Sequence, residues 1–460
     1  MINLAHLNLD QIRLAIRGDA FHCPSANDFQ FQPNLLILVD EHGDIAACVS
    51  DQDPAQAALV EALSQQGKLQ QLQAGQYLLP GLVDLHCHAP QWPQAGKGLD
   101  LPLYDWLQNY TFPLENRYQS NEFAQPVYQD VSRTLLANGT TSAVYFASIH
   151  RQSTEVLAQT CLQLGQRAYV GKVNMDNAEQ CPEFYREADT DAAIADTEAF
   201  IQNVQSLAGN QHGLVRPVVT PRFVPSCTPM MLSKLGALVQ KYDVHMQTHC
   251  SESDWARDYA LQHFGCSDVQ IYSDAGLLNN KSVLAHSIFL TEQDIAQIKQ
   301  VGAGIAHCPL SNMYFANAAM QTRELLDSGV QIGLGSDIAG APSPSIFRAA
   351  FDAVSHSRVR EEGVDVHLPA NQRGSANARI NFVEAFWMAT AGGGQVLDSA
   401  VGQFQPRYHF DAIVVEASPF IGNLRIWPEF DSPRDILEKI VCLAQKENVK
   451  QVWIQGQQRL

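Results

Sequence analysis

Short apolar runs punctuate the middle of the chain at regular intervals. They lie at 77–86 (YLLPGLVDLH), 140–146 (TTSAVYF), 167–173 (RAYVGKV), 214–223 (LVRPVVTPRF), 244–249 (VHMQTH), 282–287 (SVLAHS), 303–309 (AGIAHCP) and 330–337 (VQIGLGSD). Between them the pattern changes to helical periodicity, as in PEFYREADTDAAIADTEAFIQNVQSLA (182–208) and TPMMLSKLGALVQKY (228–242). Strands buried on both faces read as continuous apolar runs, and strands alternating with helices imply parallel βαβ units. Eight such units in series predict an α/β fold, a (β/α)8 barrel of the TIM type rather than an open sheet. In a barrel of that kind the chemistry sits at the C-terminal ends of the strands, which acts as a filter on candidate residues.

Both ends of the chain have a different character. LLILVDEHGDIAACV (35–49) reads as strand, polar turn, strand, and FDAIVVE (410–416) and VKQVWIQGQQ (449–458) are also strand-like, with a helical stretch at 433–447 before the last. Chain termini often lie close together. The expected organisation is therefore a small β-sandwich-like domain from 1–76 plus 402–460, with the barrel over 77–401.

With 460 residues, 46% hydrophobic and 17% charged, the chain is long enough for a large core. A formal charge of −18 argues against a nucleic-acid groove or an anionic membrane surface as partner, since either would be repelled. Ten cysteines without a CxxC pair suit reduced thiols in a cytoplasm. The N-terminal residues lack a basic head followed by an apolar core, so no secretory signal is expected, and no uncharged run is long enough for a bilayer span.

Side chains alternate along a strand, so in GLVDLHCH the imidazoles of His86 and His88 share a face while Cys87 points away. An isolated HxH is weak in a chain with 15 histidines. Three further strand ends strengthen it: QTHCSE places His249, LAHS places His286 and GLGSD places Asp337 at the same level. A buried Asp needs a partner or a metal to offset its desolvation. Neutral imidazoles with one carboxylate suit zinc with an open position for water, with iron or manganese as alternative occupants. A second metal usually needs a bridging ligand, often a carbamylated lysine, at the end of the fourth strand; TPRFVPS offers Arg222 there, which stays protonated and cannot serve. Lys172 reads as a structural strand lysine, so one metal is expected. Glu252, three residues beyond His249, is placed to shuttle a proton from a water that metal binding acidifies to a pKa of ~7.

PGLVDLHCH, HCSE, LAHS, AHCPLSN and GLGSD together resemble the amidohydrolase superfamily. The segment HAPQ…AG…DLPLYDWLQNYTFPLE, with RAYVGKVNMD, TPRFVPSC, HCSES and INFVEAFWMATAGGG, is similar to the guanine deaminases within it. The resemblance runs from about 80 to 402. It implies hydrolysis of guanine to xanthine and ammonia in purine catabolism, on one Zn2+ per subunit, in a cytoplasmic homodimer. Carried over by motif, His86, His88, His249 and Asp337 are the implied ligands. Glu252 is the implied shuttle, His286 positions the water, and Asp337 also polarises it. The HAPQ segment (His88, Ala89, Pro90 and Gln91), with Arg222 and Phe223, reads the purine: Arg222 as a donor suited to O6, Gln91 as both donor and acceptor. Trp92, Tyr104, Trp106, Tyr110 and Phe112 bring aromatics into the first loop, to wall off a flat ring or to pack the loop.

Two other readings compete. One is a deaminase of a related ring, such as a pterin, cytosine, an oxidised purine or a triazine, since the ligand set is common to many. The other is a metal-free scaffold on the same barrel, which predicts damaged ligands; this chain keeps all four and the shuttle. Cys87 and Cys250 are expected to pack outward, and His307 to line the site or make a structural hydrogen bond. The turn PRYHFD (406–411) lacks the glycine that the resemblance leads one to expect, and 357–380 is long, polar and without an expected place.

Overall fold

The computed structural model describes residues 8–316 and 318–460. In it the eight apolar runs yield Leu82–His88, Thr140–Phe146, Arg167–Asn174, Val215–Pro221, His245–Cys250, Ser282–His286, Gly304–His307 and Gln331–Leu334, all parallel and paired in chain order. Their positions are buried almost throughout, as two-sided packing requires. Helices cover the outside. Their starts follow local capping chemistry: Thr228 accepts from the Met231 N–H just before Pro229–Tyr242, and Thr291 with Asp294 forms a capping box on Glu292–Val301.

Two strand and helix expectations need correction. The run at 77–86 is two strands in two sheets: Gln76–Pro80 pairs with the terminal strands, and Leu82–His88 opens the barrel. At the crossing, a Cβ on Gly81 would meet Thr141 Oγ1 at 2.2 Å, so only glycine lets the chain pass. The helical stretch expected from 182 begins only at Thr190, because Asp189 takes an extended conformation and its side chain accepts from Ala192 N–H.

Chain ends combine as expected, but through a strand that alternation did not reveal. Ile12–Ser25 pairs antiparallel with Asp28–Asp40 and parallel with Gln76–Pro80. The sheet continues through Ala412–Glu416 to Val449–Ile454. It is one mixed sheet curled on itself: Phe410 N–H donates to Gly43 O (2.9 Å), and His409 meets Asp44 at 2.6 Å. Ile16, Ile37, Leu78, Val414 and Trp453 share its interior. The domain expectation starting at residue 1 lies outside the described residues over 1–7. In the glycine-free turn, Arg407 itself takes a left-handed conformation (φ 74°). Residues 357–380 finish the helix Ile346–Glu362 and fold back on it, with Ile380 N–H donating to Ser357 Oγ (3.1 Å). Helix Pro433–Leu443 packs on Ile346–Glu362 and Phe382–Trp387. Among the described residues no helix is long and apolar enough to cross a membrane.

Among the described residues, the backbone hydrogen bonds that close the barrel lie at its upper rim. Asp337 N–H donates to His86 O (2.8 Å), and His88 N–H donates to Ile338 O (2.6 Å), linking the end of the eighth strand to the first. At the lower rim Arg167 makes a bidentate pair with Asp411 (2.9 and 3.2 Å), and Asp411 also accepts from Gln455 N–H. Both ion-pair side chains are almost fully buried, so this pair fastens the terminal sheet to the barrel.

Removing one member leaves a buried charge alone. Asp411→Ala is expected to lower unfolding free energy by about 3–5 kcal/mol, whereas the Arg167→Met, Asp411→Leu double variant recovers most of that loss. Urea unfolding followed by fluorescence tests this. Equal stability of Asp411→Ala and the parent would show that the pair does not fasten the two units.

Candidate active site

The predicted residues converge at the C-terminal mouth of the barrel. His86 and His88 end the first strand, His249 lies in the fifth, His286 ends the sixth, and Asp337 follows the eighth. All five are buried. His88 Nε2 lies 3.1 Å from His249 Nε2, while Asp337 Oδ1 lies 3.3 Å from His86 Nε2 and 3.6 Å from His88 Nε2. These separations match the roughly 3.3 Å edges of a tetrahedron with metal–ligand bonds near 2.0 Å.

The donor set also has the right chemistry for a metal. His249 Nδ1 donates to the Arg222 carbonyl (2.7 Å), which leaves Nε2 as a bare lone pair toward the cluster. Neither ring nitrogen of His86 has a hydrogen-bond partner. Burial, reinforced by the neighbouring imidazoles and Arg222, pushes His86, His88 and His249 well below the usual histidine range, so they are neutral as ligands must be. Burial raises Asp337, against the opposing pull of His286. A cation among these atoms would offset that cost. Lys172 stands apart, fully buried on the third strand and paired with Glu187 at 2.5 Å.

Glu252 and His286 form the adjoining pair. His286 Nδ1 donates to Asn312 Oδ1 (2.9 Å), and its unpartnered Nε2 faces Glu252 Oε1 at 3.5 Å. Burial, with the charge of Asp337, pushes Glu252 well above the usual carboxylate range. Asp84 supports the ligands from beneath: it accepts from His86 N–H (3.1 Å), Ser336 N–H (2.9 Å) and the Ser336 hydroxyl (2.5 Å). Burial lifts its carboxyl to about 7.

Sequence reasoning missed the residue that organises Gln91 and Arg222. Glu115, fully buried, accepts from Arg222 Nη1 (2.6 Å) and Nη2 (3.2 Å) and from Gln91 Nε2 (2.9 Å). The Phe112 ring centroid lies 5.1 Å from the guanidinium carbon. Glu115 is the last residue of the DLPLYDWLQNYTFPLE segment that carries the resemblance, but its 24-residue separation from Gln91 gives no spacing that would assign it a role.

Gln91, Arg222 and Phe223 line the cleft with His88, His249, Glu252 and Asp337. Ala89 and Pro90 do not, and Ala89 packs with Cys87, Tyr145 and Ile338 behind the strand. Of the five loop aromatics only Trp106 reaches the cleft, beside Leu103, Leu107 and Phe315. Trp92 donates to Asp130, Phe112 packs on Tyr185, and Tyr104 and Tyr110 remain exposed. The loop is not open coil: short helical turns at Ala89–Gln94, Leu103–Trp106, Leu107–Thr111 and Phe112–Glu115 carry these residues.

Cys87 and Cys250 pack in outer core clusters, as expected. His307 lies 3.5 Å from Thr322 Oγ1 and does not line the cleft. Cys308, not anticipated, brings its Sγ within 4.8 Å of ring nitrogens of His86 and His286; burial pushes it far up, so it stays a thiol.

The amidohydrolase family model matches residues 77–459. A guanine deaminase of Dictyostelium discoideum is 33% identical over 98% of this chain and 99% of that protein. The guanine deaminase of Mus musculus is 36% identical over 97% of this chain and 96% of that protein. Among solved structures, guanine deaminase from C. acetobutylicum with guanine bound in its active site is similar with a TM-score of 0.85 and 29% identity, covering 97% of this chain and 99% of that one.

If the cluster holds a metal, folding and metal binding are linked. Chelator-treated protein should gain thermal stability on zinc addition, by about 4 kcal/mol at a thousandfold excess over Kd. His249→Ala and Asp337→Ala should lose most of that gain. Scanning calorimetry with and without zinc decides it; an unchanged midpoint in the parent would rule out a metal at these residues.

Proposed function

This chain belongs to the amidohydrolase family, and from that premise we propose that it hydrolyses guanine to xanthine and ammonia. The observation that carries the reading is the meeting of two side-chain groups at one buried cleft. One group is His86, His88, His249 and Asp337 beside Glu252 and His286; the other is Gln91 and Arg222, held by Glu115. Near-full-length likeness to guanine deaminases supports guanine as the ring between them.

His86, His88, His249 and Asp337 would hold one Zn2+ per subunit, which fits their spacing and their neutral imidazoles. The chemistry zinc supplies when bound is Lewis acidity, which brings a water close to ionisation at pH ~7.

This chain's own residues do the rest. Arg222 donates to an acceptor on the purine, Gln91 offers its amide, and Phe223 borders the ring, so that C2 and its exocyclic amine face Glu252. As the water oxygen adds to C2, Glu252 takes a proton from it and passes it to the adjacent ring nitrogen. Glu252 then delivers the second proton to the amine, the C2–N bond breaks, and ammonia leaves. His286, oriented by Asn312, holds the water and the Glu252 carboxyl in register. Leu103, Trp106, Leu107 and Phe315 keep bulk water away, which strengthens every polar contact inside.

A substrate panel tests both substrate and shuttle. Purified protein of measured metal content should release ammonia from guanine, and far more slowly from cytosine, adenine, 8-oxoguanine or a pterin. Glu252→Gln should retain the metal while kcat falls on the order of 10^2–10^4-fold. Metal-loaded protein silent on guanine but active on another ring would overturn the substrate and keep the chemistry. Retained turnover in Glu252→Gln would remove Glu252 from the reaction.

A further inference from the structure

Glu115 does not line the cleft, yet it holds two polar residues that do, Gln91 and Arg222. A carboxylate only accepts hydrogen bonds. Gln91 must therefore turn its NH2 toward Glu115, which leaves Gln91 Oε1 as the atom with no partner, buried in a residue that lines the cleft. Arg222, which can only donate, spends Nη1 and Nη2 on Glu115 and is held in one orientation, with N–H groups left over. This pair thus has a fixed polarity: an acceptor at Gln91 and donors at Arg222. The carboxylate behind it prevents the amide from flipping.

We propose that Glu115 is a positioning residue that sets the substrate polarity of this cleft, so that it selects purines presenting a ring N–H and an oxo group over isosteric purines with that pattern reversed. The inference rests on the guanine reading above. It also narrows the role of Gln91, from an amide that offers donor and acceptor alike to one that offers an acceptor alone.

The purine 2,6-diaminopurine isolates this property. It keeps guanine's shape and its C2 amine, so water addition at C2 and loss of ammonia balance as they do for guanine. Its 6-amino group donates where guanine's O6 accepts, and its N1 accepts where guanine's N1–H donates. Buried polar groups left unpaired penalise such a reversal by about 10^4-fold in kcat/KM. The wild-type protein is therefore expected to prefer guanine by roughly that factor.

In Glu115→Gln the neutral amide can donate to Gln91 and release it to flip, so the guanine preference should fall by roughly tenfold or more. Glu115→Asp keeps the acceptor-only carboxylate. It should raise KM for both substrates and keep the preference within about threefold of wild type. A purely structural role predicts equal losses on both purines. An unchanged preference in Glu115→Gln, with both activities reduced alike, would overturn the proposal. Where Glu115→Gln does not fold, Gln91→Met decides in its place: a preference reduced tenfold or more supports an acceptor fixed at Gln91, and an unchanged one overturns the proposal, as does a lost preference in Glu115→Asp. Absence of guanine turnover in the wild-type protein would instead sink the underlying reading, and a wild-type preference for 2,6-diaminopurine would sink both.

Discussion

The seam between the first and eighth strands is the constraint on which the site depends. Seven neighbouring pairs of barrel strands are joined by regular ladders, but the eighth strand is not laddered to the first. The join is made at the candidate metal cluster: Asp337 N–H to His86 O, and His88 N–H to Ile338 O. Asp84 adds a buried carboxylate bonded to the backbone of His86 and to both donors of Ser336. Closing the barrel and spacing the ligands are thus one event. A ligand set shared between rigid strand ends keeps its geometry far better than one carried on loops.

Charge inside the barrel follows a consistent rule, and the site departs from it. Arg167, Lys172 and Arg222, all buried, each have a carboxylate at hydrogen-bond distance. Breaking such pairs is costly because a lone buried charge remains. Asp337 and Glu252 instead face imidazoles that burial keeps neutral. Stability alone gives no reason to gather four histidines and two carboxylates without a cation. That local frustration is the physical mark of a site shaped for something other than packing.

The long first loop earns its length by folding. Its helical turns bury Trp106 and Leu107 against the cleft and carry Glu115 to Gln91 and Arg222. Most of its aromatics serve that folding and not the cleft, so the loop acts chiefly as a scaffold for one carboxylate and a lid of apolar side chains.

The order of apolar runs determined the eight barrel strands, because a strand buried on both faces has no polar alternation to hide it. Histidines and an aspartate at the run ends likewise determined the ligand candidates, since strand ends in a parallel barrel share one rim. The strand Ile12–Ser25 escaped notice because its polar residues interrupt the alternation where it bulges against Asp28–Asp40. What sequence could not determine was which distant side chains would meet. Glu115 and Arg222 stand 107 positions apart, and Arg167 and Asp411 stand 244 apart. A buried ion pair is specified by the three-dimensional approach of its elements, not by local propensity or period. Tertiary structure alone therefore decided the pairing of Glu115 with Gln91 and Arg222, the closure through Asp84, and which loop aromatic lines the cleft.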